Sequence, residues 1–103
     1  CHLNPDFFMF KNIDARGLIV SSTSKNYDFI SRCFFPTTGV DEDPVTGSAH
    51  TTLIPYWSKK LNKKNLHAMQ ISKRGGELKC ADNGGRVSIG GNAVLYLKGK
   101  IFI

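Results

Sequence analysis

Glycine and asparagine clusters cut the second half of this sequence into short pieces: Gly75-Gly76, Asn83-Gly84-Gly85 and Gly90-Gly91-Asn92. Between and around them stand His67 to Ser72, Glu77 to Ala81, Arg86 to Ile89 and Ala93 to Leu97, each the length of a strand. Such clusters supply the positive φ angles that tight hairpins require, so these runs predict antiparallel strands. Earlier, Leu18-Ile19-Val20 after Arg16-Gly17 predicts a buried strand. A second runs from Tyr27 to Phe35, where Phe29, Ser31 and Cys33 alternate with Ile30, Arg32 and Phe34. Pro36 ends it, because proline cannot donate to a ladder. Asn4-Pro5-Asp6 ahead of Phe7, Phe8, Met9 and Phe10 predicts a short helix to about Asn12.

One long segment has helical rather than strand period. From Gly47 to Leu61, apolar residues recur at Ala49, Leu53, Trp57 and Leu61, and Ile54 and Tyr56 widen the stripe. That is an amphipathic helix packed on a sheet. Pro55 lies inside it and removes one backbone donor, which predicts a kink or a short first helix. The stretch Thr37 to Pro44 is rich in turn residues and predicts a loop. Together these elements predict an α+β domain: a strongly curved, mostly antiparallel sheet, a partial barrel around one main helix. With 103 residues, the chain suffices for a single domain, 1–103.

Composition excludes several classes. A hydrophobic fraction of 41% with 21% charged residues is that of a folded domain rather than a disordered segment. No apolar run approaches the roughly 18–20 residues that span a bilayer. The start, Cys1-His2-Leu3-Asn4-Pro5-Asp6, is neither a signal peptide nor a methionine start, as expected of a processed product or a piece of a longer chain. Cys1, Cys33 and Cys80 are far apart and form no C-x-x-C pair, which argues against a disulfide framework or a structural metal. Free thiols in strand runs point to a reducing compartment, the cytoplasm. Much of the net charge of +6 is local: Lys59, Lys60, Lys63 and Lys64 cluster, and Lys73 and Arg74 follow shortly after. Cations at a helix end complement its dipole, and no nucleic-acid recognition signature accompanies them.

The chemistry concentrates in Asp43-Pro44-Val45-Thr46-Gly47-Ser48, where a loop enters the helix. The first helical amides have no intrahelical partner, and the dipole favours an anion there. Gly47 allows close backbone approach, Thr46 and Ser48 add hydroxyls, and Asp43 is an acid/base candidate beside the cradle. The plain alternative is a structural cap, with Asp43 as N-cap and Pro44 in the first turn, or Thr46 in the capping role. A Ser-His hydrolase is disfavoured. Ser48 and His50 do not share a helix face, and the turn lacks the G-x-S-x-G elbow.

The run Gly39-Val40-Asp41-Glu42-Asp43-Pro44-Val45-Thr46-Gly47-Ser48-Ala49-His50, with Pro55-Tyr56-Trp57 behind it, resembles the PhzF-like phenazine-biosynthesis family. Gln70 to Leu78, Arg86 to Gly91 and Ala15 to Val20 resemble it as well. The resemblance implies one half, the C-terminal one, of a two-domain fold of the diaminopimelate-epimerase type, with the active site between the domains. It implies an isomerase that moves a proton on a small carboxylic acid without metal or organic cofactor. Asp43 matches an acid/base participant, Gly47 and Ser48 match substrate-contacting residues, and Thr46 matches in a supporting role. The family's main catalytic glutamate and a histidine partner belong to the other domain, so Glu42, Glu77 and His50 are not assigned those roles. The expected partners are a carboxylate substrate and either the missing N-terminal domain or a second copy in a homodimer. The isolated chain is expected to be inactive. The competing class is a non-catalytic module for small carboxylates, or a weak nucleic-acid binder using Lys59 to Lys64.

Overall fold

The computed structural model describes Asn4, Asp6 and residues 15–103; the helix expected over the first dozen residues therefore lies outside the described residues. The elements are β1 (Leu18–Ser22), β2 (Phe29–Phe35), a 3-10 turn (Pro36–Thr38), β3 (Val40–Asp43), α1 (Gly47–Leu61), β4 (Asn65–Gln70), β5 (Gly76–Asp82) and β6 (Val87–Gly90). Five of the strands form one path, β1-β2-β4-β5-β6, and β3 pairs with β2 off that path. All pairings are antiparallel except β2 with β4. A parallel pair needs a crossover, and α1 supplies it.

The helix sits inside a sheet that bends around it without closing. Trp57 Nε1 donates to Ser21 Oγ of β1 at 3.1 Å, while Pro55 borders the same hollow as Arg86 and Val87 at β6. Two residues of helix rise only about 3 Å. The first and last strands of the path therefore meet opposite sides of α1 at nearly one height. The core beneath is Phe29, Leu53, Ile54, Trp57, Leu66, Ala68, Leu78 and Cys80. Phe29 stacks on Trp57 at 5.7 Å, with ring planes 6° apart.

Several expectations change. The helix runs unbroken through Pro55, whose side is exposed, so there is no short first helix. Tyr56 leaves the apolar stripe and is half exposed, with Lys60 Nζ over its ring; His50 occupies the buried face instead. The presumed loop before the helix contains β3. Leu18 and Ile19 are exposed because β1 is an edge strand lying largely beyond the helix. The largest difference is the run from Ala93 to Leu97, which pairs with nothing and is exposed throughout. Its consecutive apolar residues need cover on both faces, whereas α1 covers one face of this sheet.

Polarity is graded across the inner face. One row of cross-strand partners is Phe29 and Ala68, then Leu78, all buried and apolar. The next is Ser21, Ser31, Gln70 and Gly76, all small or polar. Gln70 and Gly76 of the second row lie against Thr46 and Val45, the residues that lead into α1.

Candidate functional site

One long side of β2 is shared. Residues 29–31 pair with β4, and the portion from Cys33 to Phe35 pairs with β3. The ends of β3 and β4 therefore converge on the same strand, and this brings Asp43 to Gln70 across 27 residues of sequence. The helix begins where they meet.

Gln70 is fully buried and all its polar atoms are used. Its Nε2 donates to the Asp43 carbonyl at 2.9 Å and to Thr46 Oγ1 at 3.0 Å. Its Oε1 accepts from the Thr46 N–H at 2.8 Å. The Thr46 hydroxyl in turn donates to Asp43 Oδ2. A directional chain thus runs from the Gln70 amide through Thr46 to the Asp43 carboxylate. Among the described residues, Asp43 Oδ1 has no hydrogen-bond partner, and the carboxylate is only partly buried.

This arrangement decides the capping question. The helix begins at Gly47 with Thr46 as N-cap, so Asp43 and Pro44 lie before it and are not its cap and first residue. The Thr46 side chain makes no capping bond because its hydroxyl is committed to Asp43. The leading amides of α1 consequently keep their donors. Gly47 lines an open cleft of about 620 Å³ with Val45, Arg74, Gly75, Gly76 and the stretch Gly90-Gly91-Asn92 at the end of β6. A Cβ at Gly47 would meet no atom within 4 Å, so the bare backbone faces space. Ser48 is exposed on the first turn. Arg74 is exposed and makes no ion pair among the described residues. Asp43 does not line this cleft; its Oδ2 is turned onto Thr46. Gly76 permits the close approach of the turn, since a Cβ there would lie 2.1 Å from Val45 Cγ2.

His50 closes the network from below. Its Nδ1 lies 2.7 Å from the Thr46 carbonyl and must donate, which leaves Nε2 as a bare acceptor without a partner in the core. Burial holds its pKa below the ordinary value, so the imidazole is neutral. Burial raises the Cys33 thiol, beside Thr46, and pushes Cys80 up to about 11. Both thiols are protonated and behave as small core side chains. Glu42 and Glu77 are engaged elsewhere. Glu42 holds Arg32 through two bonds of 2.8 and 3.0 Å. Glu77 takes the Tyr27 hydroxyl at 3.1 Å and His67 Nε2 at 3.2 Å. In the lysine cluster, Lys63 pairs with Asp28 at 2.5 Å and Lys60 covers Trp57. Among the described residues no group of acidic, histidine or cysteine side chains is placed to hold a metal, and no helix is long and apolar enough to cross a membrane.

The family model for phenazine biosynthesis-like proteins (PhzC-PhzF) matches residues 1–99. The chain belongs to that family. An uncharacterized isomerase of Halalkalibacterium halodurans is 55% identical over 98% of this chain, which spans 39% of that protein. Phenazine biosynthesis-like domain-containing protein 2 of the mouse is 58% identical over 84% of it, and 33% of that protein is spanned. A crystal structure of a PhzF-family protein from Enterococcus faecalis aligns over 99% of this chain with a TM-score of 0.88 and 48% identity; 40% of that structure is covered. The chain thus corresponds to about two-fifths of the first of these relatives and of that solved structure.

Sequence reasoning picked out Asp43, Thr46, Gly47 and Ser48, and the fold joins the first two through a direct hydrogen bond. It passed over Gln70 and Arg74. The signal for Gln70 was its phase: it follows Leu66 and Ala68 on the core face of β4, where a polar side chain must find partners.

Proposed function

We propose that this chain is the C-terminal domain of a cofactor-independent isomerase that transfers a proton on a small carboxylic acid in the cytoplasm. The uncapped amides at Gly47 and Ser48 receive the substrate carboxylate, and Arg74 from the facing wall adds charge. Asp43 exchanges the proton through Oδ1 while Thr46 and Gln70 hold Oδ2. The relatives named as isomerases support the reaction class. The observation that carries the reading is the commitment of the Thr46 hydroxyl to Asp43, which both orients the acid and leaves the helix amides free for an anion.

Only one wall of the cleft comes from this chain. In this reading the isolated domain holds a carboxylate weakly and does not complete the reaction, because the principal glutamate lies on the absent domain. Titrating the chain with lactate or benzoate while following its amide spectrum tests the cradle. The Gly47 and Ser48 amides should shift and saturate at around millimolar concentration, equivalent to about 4 kcal/mol of binding. Shifts confined to Lys59 through Lys64, or none at all, would reject the cradle.

A further inference from the structure

His50 is completely buried, yet its Nε2 has no hydrogen-bond partner among the described residues. A bare acceptor in the core is unfavourable, and an apolar side chain of similar volume would avoid it. The other ring nitrogen accounts for the histidine. Its Nδ1–H donates to the Thr46 carbonyl at 2.7 Å. That carbonyl belongs to the same planar unit as the Gly47 N–H, so whatever holds the oxygen also aims the amide.

Thr46 is thereby fixed on both sides. Gln70 accepts its N–H at 2.8 Å and donates to its hydroxyl at 3.0 Å, which sets the peptide before it. The peptide after it turns about ψ, which is 100°. Packing does not hold that peptide, because a Cβ at Gly47 would meet nothing within 4 Å. The carbonyl of an N-cap residue accepts the first helical N–H, and here the imidazole adds a second bond. The Phe29 ring, 5.9 Å away and tilted by 31°, packs beside the imidazole and restrains its plane. A hydrogen bond on a carbonyl also polarises its peptide and strengthens the N–H as a donor.

We propose that His50 is a positioning residue for the carboxylate cradle: its Nδ1–H fixes the Thr46–Gly47 peptide, directing the Gly47 N–H at the anion and strengthening it. In this role His50 stays beneath the helix start and exchanges no proton with substrate. The inference rests on the cradle reading of Gly47. It is tested by titrating the chain, its His50→Leu variant and its His50→Asn variant with lactate. The Thr46 carbonyl and Gly47 amide resonances are followed with and without the ligand.

Leucine fills the space without a donor, whereas the asparagine amide stands where Nδ1 stands. His50→Leu should weaken lactate binding at Gly47 at least about threefold, the effect of losing one neutral hydrogen bond. Its urea midpoint should not fall, because the bare Nε2 is removed as well. His50→Asn leaves a cavity and should be the less stable of the two, yet bind lactate more tightly than His50→Leu. A merely structural histidine gives the opposite order, with binding following stability. Weakening by less than about threefold in His50→Leu, or His50→Asn binding no better than His50→Leu, overturns the proposal. If His50→Leu does not fold, a loss of at least about threefold in His50→Asn overturns it. The ligand-free spectra separate this inference from the cradle itself. Neither variant carries a ring, so a difference between them at the Thr46 carbonyl and Gly47 amide reports the donor. If that difference is present while wild type binds no lactate at Gly47, the cradle reading fails and the fixing of the peptide stands. If the two variants coincide there, the fixing of the peptide fails.

Discussion

Replacing Gln70 with methionine isolates what the buried amide contributes. Methionine is unbranched and of similar length, so it fills the space with little cavity. It removes three hydrogen bonds, of 2.8, 2.9 and 3.0 Å. The Thr46 N–H and the Asp43 carbonyl are then buried without a partner, and each such group costs about 1–3 kcal/mol. Better transfer of the methionine side chain into the core offsets part of that. A net loss of about 3 kcal/mol follows, a large share of the roughly 5–15 kcal/mol that stabilises an ordinary domain. For a chain of this size the melting temperature should fall by about 12–24 °C. Urea denaturation of the 103-residue chain measures it directly: the midpoint should move while the slope stays constant. A loss below about 1 kcal/mol would mean that water or another side chain replaces the amide, and the orienting chain to Asp43 would be refuted.

Other outcomes follow from the same geometry. Gly76→Ala places a Cβ 2.1 Å from Val45 Cγ2 and should cost about 1–3 kcal/mol, with Val45→Ala restoring most of it in a double-mutant cycle. Gly47→Ala meets no neighbour, so denaturation should change by less than about 1 kcal/mol while the carboxylate-induced amide shifts disappear. His50 has a depressed pKa in the folded chain, so the unfolded chain takes up its proton first as pH falls. Its contribution is present above the ordinary value of 6.5 and declines below it, by up to about 1.4 kcal/mol per pH unit. Urea midpoints between pH 7.5 and 5 check this; His50→Gln should flatten the decline.

The sequence announced its secondary structure through local signals and concealed what depends on distant pairing. The α1 stripe is local and present at nearly its expected position. Of the three Gly-rich clusters, those at Gly75-Gly76 and Asn83-Gly84-Gly85 join paired strands, whereas among the described residues no strand pairs back after Gly90-Gly91-Asn92. β3 was read as a loop because Val40-Asp41-Glu42-Asp43 has almost no apolar alternation; it is a strand only because β2 offers it an edge. The capping question was likewise undecidable from spacing. Asp43, Pro44 and Thr46 all suit a helix start, and the answer came from Gln70, placed nearby through the β2–β4 pairing. His50, not assigned a catalytic role from the sequence, lies in the first turn of α1 and is completely buried. Ala93 to Leu97 shows the converse. Its strand character is plain in the residues, yet the edge it needs is not found in this domain.

Asp43 carries the central claim, and one substitution tests it. In a protein that contains both domains, wild type should exchange the acidic C–H of its carboxylic-acid substrate for deuterium in D2O, read by proton NMR across a panel of small carboxylic acids. Asp43→Asn keeps the side-chain shape and the carbonyl bonded to Gln70. It should lower the exchange rate by at least about 100-fold, the usual contribution of a general acid or base, with the melting curve nearly unchanged. Exchange at the wild-type rate in a folded Asp43→Asn protein would contradict the account.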